Sequence, residues 1–101
     1  MEIKEAQKQS WKIIEDWCKK NNKEHDLRTV FPHLIEEVGE VARELNHHIN
    51  NWREEPNKDK LAEEMTDVLD KLFILATDNE INLEEAFIQK NKLLRERFEL
   101  D

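Results

Sequence analysis

The chain has 101 residues, 40% of them charged, with a net charge of -8 at pH 7, one glycine, two prolines and one cysteine. That length suits one domain, and the acidic balance argues against a polyanionic nucleic-acid duplex as partner, because no basic face is segregated. A lone Cys18 excludes an internal disulfide and fits a reducing compartment; with no apolar leader segment and no run of ~20 apolar residues, a cytoplasmic, soluble protein without a membrane span is expected.

Apolar residues recur at three- and four-residue spacing with no alternating strand pattern, which predicts an all-α chain. In the first helix Ile3, Ala6, Ser10, Ile13, Ile14 and Trp17 form the apolar stripe, Lys19 and Lys20 suit the C-terminal dipole, and Asn21-Asn22 suit a stop. The second is expected to begin near Thr29 as N-cap, with Pro32 in the first turn and Leu34, Val38, Val41, Leu45 and Ile49 facing the core. A connecting loop runs from Asn50 to Pro56. Asn57 can cap the third helix, whose apolar side is Leu61, Met65, Val68, Leu69, Leu72, Phe73 and Ala76, ending about Asp78. Asn82 and Glu85 have capping-box spacing for a fourth, with Leu83, Ala86, Phe87, Leu94 and Phe98 continuing the period. The expected architecture is thus a four-helix bundle. Phe31, Ile35, Ile74 and Phe87 lie beside the main stripes, so the apolar arcs are wider than one bundle layer covers; a homodimer or homotetramer is expected.

Two acidic clusters carry the chemistry: Glu36-Glu37-Val38-Gly39-Glu40 on the second helix and Glu63-Glu64-Met65-Thr66-Asp67 on the third. A solitary Glu-x-x-Glu is an ordinary solvated face. At about 100° per residue, however, Glu64 lies about 40° from Val68 and Glu37 about 40° from Val41, inside the apolar stripes. Carboxylates turned toward a core need a partner that neutralises them, and an all-oxygen set suits hard cations such as Mg2+. Magnesium takes only one or two carboxylates, so four converging ones suggest more than one ion. One rival site is Glu44-Leu45-Asn46-His47, a Glu-x-x-His unit of the kind di-iron bundles use. Such bundles need two, and His25, His33 and His48 lack a glutamate three residues earlier.

Glu-Glu-x-x-Glu followed by Glu-x-x-Asp resembles the motif pair of the MazG-like all-alpha nucleotide pyrophosphohydrolases. Leu34 to Ala42 is similar to that family's second-helix motif and Leu61 to Leu69 to its third; Ile81 to Phe87, Lys90 and Arg97-Phe98 extend the likeness through the fourth helix. The resemblance implies a MazG-like bundle that hydrolyses a nucleoside triphosphate between the α and β phosphates. It implies Glu37, Glu40, Glu64 and Asp67 as Mg2+ ligands, with Mn2+ able to substitute. Glu36 and Glu63 join Glu37 as catalytic carboxylates, supporting the ligands or orienting the attacking water, and Lys90 and Arg97 serve the phosphates. The chain departs from relatives resembling the deoxycytidine-triphosphate enzymes: Leu94 stands for an Asn, His47 for a Trp and Lys71 for a Tyr. Their base pocket therefore does not transfer, and Trp11, Trp17, Trp52 and His47 are the candidates for stacking on a base. The alternatives are the related phosphoribosyl-ATP pyrophosphohydrolase activity of histidine synthesis and a non-enzymatic helical interaction module.

Overall fold

Four helices follow in chain order: α1 (Ile3–Lys20), α2 (Leu27–Asn50), α3 (Lys58–Asp78) and α4 (Leu83–Arg97). The computed structural model describes residues 1–50 and 55–101, so the Trp52 expectation lies outside the described residues. No strand occurs among those described.

The caps explain three of the helix starts. Asn57 Oδ1 accepts from the Lys60 amide at 3.1 Å, and Asn82 Oδ1 accepts from the Glu84 and Glu85 amides at 3.1 and 3.3 Å. The α2 boundary differs from expectation. Asp26 Oδ1 accepts from the Arg28 amide at 2.9 Å, so the helix opens at Leu27, before Thr29, whose hydroxyl donates to the Asp26 carbonyl at 2.7 Å. The Arg28 guanidinium and amide both hold the Asp26 carboxyl below its usual range. Pro32 accordingly sits past the first turn, inside the helix, where it removes one backbone donor. Asn22, at φ 51°, ends α1 in the left-handed region that asparagine tolerates.

Helix α3 is the hub: α2 and α1 both pack on it, and α4 leans chiefly on α1. Among the described residues the buried apolar side chains are Cys18, Val30, Phe73, Ile74 and Ala76. Several expected core positions lie outside. Ile13, Trp17, Val38, Leu45, Ile49, Met65, Leu69 and Leu72 are exposed, while Ile74, expected off the stripe, is buried. On α1 the packed side is rotated toward Gln7, Ile14 and Cys18. The reason is polar: Gln7 Nε2 donates to Thr77 Oγ1 at 3.1 Å and to the Ile81 carbonyl at 2.8 Å, and its Oε1 accepts from the Leu83 amide at 3.1 Å. With all three groups satisfied, a buried amide clasps the α3–α4 turn to α1. A second clasp joins the α1–α2 connection to the end of α3, where His25 Nε2 lies 2.9 and 2.8 Å from the two Asp78 oxygens and the Trp11 ring stands edge-on to the imidazole at 5.0 Å.

No residue of α4 is buried, and Phe31, Ile35 and Phe87 are more than half exposed. The Cα radius of gyration is 16.5 Å, whereas a compact chain of about 100 residues has about 13 Å. The described elements thus leave wide apolar faces open. No helix among the described residues is long and apolar enough to cross a membrane.

Candidate metal centre

The α2–α3 pair carries a polar seam along its packed side. His33, Glu37, Glu40, Glu44 and His47 recur at intervals of three or four on α2, and Lys60, Glu64, Asp67 and Lys71 do so on α3. Because Glu37 meets Glu64 and Asp67 while Glu44 meets Lys60, the two helices run antiparallel.

At the middle of this seam Glu37, Glu64 and Asp67 each place a carboxylate oxygen within 4.8 Å of the others. All three are half-buried. Burial raises the pKa of Glu64 first, and the like charges of Asp67, Glu40, Glu37 and Glu63 raise it further. Glu40 thus lies within electrostatic reach of the trio, although it is outside the converging set. Three oxygen ligands around one point, with a carboxyl that resists ionising there, fit a hard divalent cation by the chemistry of the donor set. Their mutual repulsion is the force a cation would relieve.

Other expected residues fall as follows. Glu36 and Glu63 point outward on the exposed side, and Glu36 Oε2 lies 3.4 Å from His33 Nδ1. Lys90 and Arg97 are on exposed α4, with no ion pair or hydrogen bond to the acidic trio among the described residues. His47 is 1% exposed inside the seam, so as placed it offers no face to a base; that expectation is corrected by burial. Trp17 does not serve the core. It is half-exposed, with the Lys23 ammonium 5.4 Å from its ring centroid, and it lines a cavity.

That cavity, about 370 Å³, lies between α1, the α1–α2 connection, the start of α2 and the middle of α3. Ile13, Ile14, Trp17 and Ile74 supply apolar wall, while His25, His33, Asp70 and Lys71 supply polar groups. His33 is four residues before Glu37, and Asp70 and Lys71 are three and four after Asp67. The cavity therefore opens one helical turn from the acidic trio on both helices.

A sequence model of the MazG nucleotide pyrophosphohydrolase domain matches residues 24–98, about three quarters of the chain. The chain belongs to that family. One relative, the "uncharacterized protein YpjD" of Bacillus subtilis (strain 168), is 44% identical over 55 residues, which are 52% of this chain and 50% of that protein. The chain thus spans about half the length of the curated relative it matches. No solved structure matches it. For a MazG-family chain with four helices and no strand among the described residues, the carboxylate cluster is the expected place for divalent-metal chemistry.

Sequence reasoning weighed Glu44 only as part of a Glu-x-x-His unit and missed its pairing with Lys60, and it missed Asp70. Glu44 is 1% exposed with its Oε1 3.3 Å from Lys60 Nζ, and Asp70 lies on the cavity wall. A signal was there: Glu44 follows Glu40 by four and Lys60 precedes Glu64 by four, so both continue the stripes of the acidic clusters.

Proposed function

We propose that this protein is a Mg2+-dependent nucleoside triphosphate pyrophosphohydrolase that cleaves a canonical or damaged (d)NTP to (d)NMP and pyrophosphate, as a cytoplasmic house-cleaning enzyme. The observation that carries this reading is the convergence of Glu37, Glu64 and Asp67 one turn from a cavity of about 370 Å³, a volume within the range of small-molecule sites. The spacing supports a substrate with an anionic end over the carboxylates and a flat, part-apolar end in the cavity. A nucleoside triphosphate has that shape. The free Cys18 thiol supports a reducing compartment.

In this reading Glu37, Glu64 and Asp67 hold magnesium, with Glu40 adding charge beside them and Mn2+ able to substitute. The ion supplies the positive charge that lets phosphate oxygens approach carboxylates and that offsets charge developing on the departing pyrophosphate. The chain does the rest. Glu36 and Glu63, which face outward on the same two helices, are the carboxylates proposed to orient the attacking water toward the α phosphorus. Trp17 stacks on the base from the cavity wall, and Lys90 and Arg97 on α4 are the cations proposed for the phosphates.

Self-association is part of the proposal. An almost wholly apolar groove of about 430 Å³, lined by Ile3, Leu69, Phe73, Leu83, Ala86 and Phe87, lies open between α1, α3 and α4. Phe31 and Ile35 of α2 are also exposed. Burying such faces against a second copy supports a homodimer or homotetramer. A panel of canonical and damaged nucleotides, incubated with Mg2+ and scored for pyrophosphate, tests the activity: release from at least one triphosphate that is abolished by chelation supports it, and no release from any refutes it.

A further inference from the structure

We infer that the ion pair between buried Glu44 and solvent-facing Lys60 is a positioning element for the acidic centre: it fixes the axial register of α2 on α3, and with it the distances among Glu37, Glu64 and Asp67. The inference rests on the reading of that centre as a cation site. Glu44 is 1% exposed, and its Oε1 lies 3.3 Å from the Nζ of Lys60, whose side chain is 45% exposed. Among the described residues this is the one Lys/Arg–carboxylate pair that joins α2 to α3. It stands one turn beyond Glu40 on α2 and one turn before Glu64 on α3, at the side of the centre away from the cavity.

Strength is a poor reason to bury a carboxylate. A buried ion pair is often no more stabilising than a well-packed apolar pair, and its best attested use is to select one register over others. Here a register device is needed. Glu37, Glu40, Glu64 and Asp67 are alike in charge, so without a cation their mutual repulsion opposes the observed alignment. The apolar contacts between two helices repeat at each turn, and a slip of one turn, about 5.4 Å, exchanges equivalent ridges. In one direction such a slip would set Glu44 against Glu64, carboxylate facing carboxylate, and in the other it would carry Glu44 past the start of α3. Among the described residues, the Lys60 ammonium is the cation that the observed alignment brings to Glu44.

The test uses Mn2+ as probe, with affinity read by electron paramagnetic resonance, and helix content and thermal midpoint followed by circular dichroism. The variants are E44L, K60M, K60R and the apolar pair E44L/K60M. Each charge-removing single variant should weaken Mn2+ binding about tenfold, the lower end for residues that orient metal ligands, with helical content kept. K60R, which keeps the charge, should bind closer to wild type than K60M. E44L/K60M, which leaves no orphaned charge and so should fold, should recover the thermal midpoint while Mn2+ binding stays weak. Wild-type affinity in E44L/K60M would overturn the inference, because the pair would then be structural filler. Wild type that binds no Mn2+ would remove the cation-site reading itself, a separate failure from wild-type binding that the variants share.

Discussion

Glu37 of α2 and Glu64 of α3 bring carboxylate oxygens within 4.8 Å of one another across the half-buried middle of the seam, with Asp67 completing the trio. Like charges held this close are a cost to the apo fold. The measurable consequences follow from that cost and from how the rest of the chain sustains it.

The titration of Glu64 links pH to stability. Its native pKa is raised, by burial first and neighbouring carboxylates second, so the native state holds the proton over a range where the unfolded chain has released it. The resulting stability is fully present below the ordinary glutamate value of about 4.3 and is lost as pH rises through the raised native value. Glu64→Gln should therefore raise the thermal midpoint of the metal-free protein at about pH 7 and leave it near wild type at about pH 3.5. Thermal melts in chelator check this; a lower midpoint for the variant at the higher pH would contradict it.

Loss of carboxylate charge at the centre should separate activity from folding. Glu37→Gln, Glu40→Gln, Glu64→Gln and Asp67→Asn are each expected to lower turnover by more than about tenfold, or ~1.4 kcal/mol of barrier, with helical circular dichroism retained. Two of the four remaining within that factor of wild type would show that the cluster is not the metal centre.

The Gln7 clasp predicts a defect of the opposite kind. Gln7→Leu leaves the Ile81 carbonyl and the Leu83 amide without their buried partner, at a cost of about 1 to 3 kcal/mol. Denaturant melts should show that loss, with Mn2+ affinity unchanged. A neutral effect would mean that water reaches the turn and replaces the amide.

Helix types, their order and the Asn57 and Asn82 caps were legible because periodicity and cap chemistry are local. Glu37 and Glu64 were legible for a related reason, since their angular place inside apolar stripes marks them as turned toward a partner, whereas Asp67 came from the motif resemblance. What was not legible depends on the partner element. Trp17, Val38 and Leu45 satisfy an apolar period on helices that have a second, uncovered face, and sequence alone does not say which face meets α3. Glu44 and His47 break the pattern in the other direction, buried where hydropathy would place them in water. Gln7 is inside only because the distant Thr77, Ile81 and Leu83 supply its hydrogen bonds.

Two phenylalanines separate the internal core from the open faces. Phe73 is 6% exposed, and Phe73→Ala should cost about 3 to 5 kcal/mol of stability. Phe87, at 56% exposed, should lose little intrinsic stability on replacement by Ser, but sedimentation at micromolar concentration should shift toward the 12.2 kDa monomer. A Phe87→Ser protein that sediments as wild type would place the interface elsewhere.

Hydrolysis in oxygen-18 water tests the central claim most directly. Attack at the α phosphorus beside the acidic trio predicts one label in the nucleoside monophosphate and intact, unlabelled pyrophosphate, with no product formed in chelator. Nucleoside diphosphate and labelled orthophosphate as the sole products would contradict it, since the attacked atom would then be the γ phosphorus.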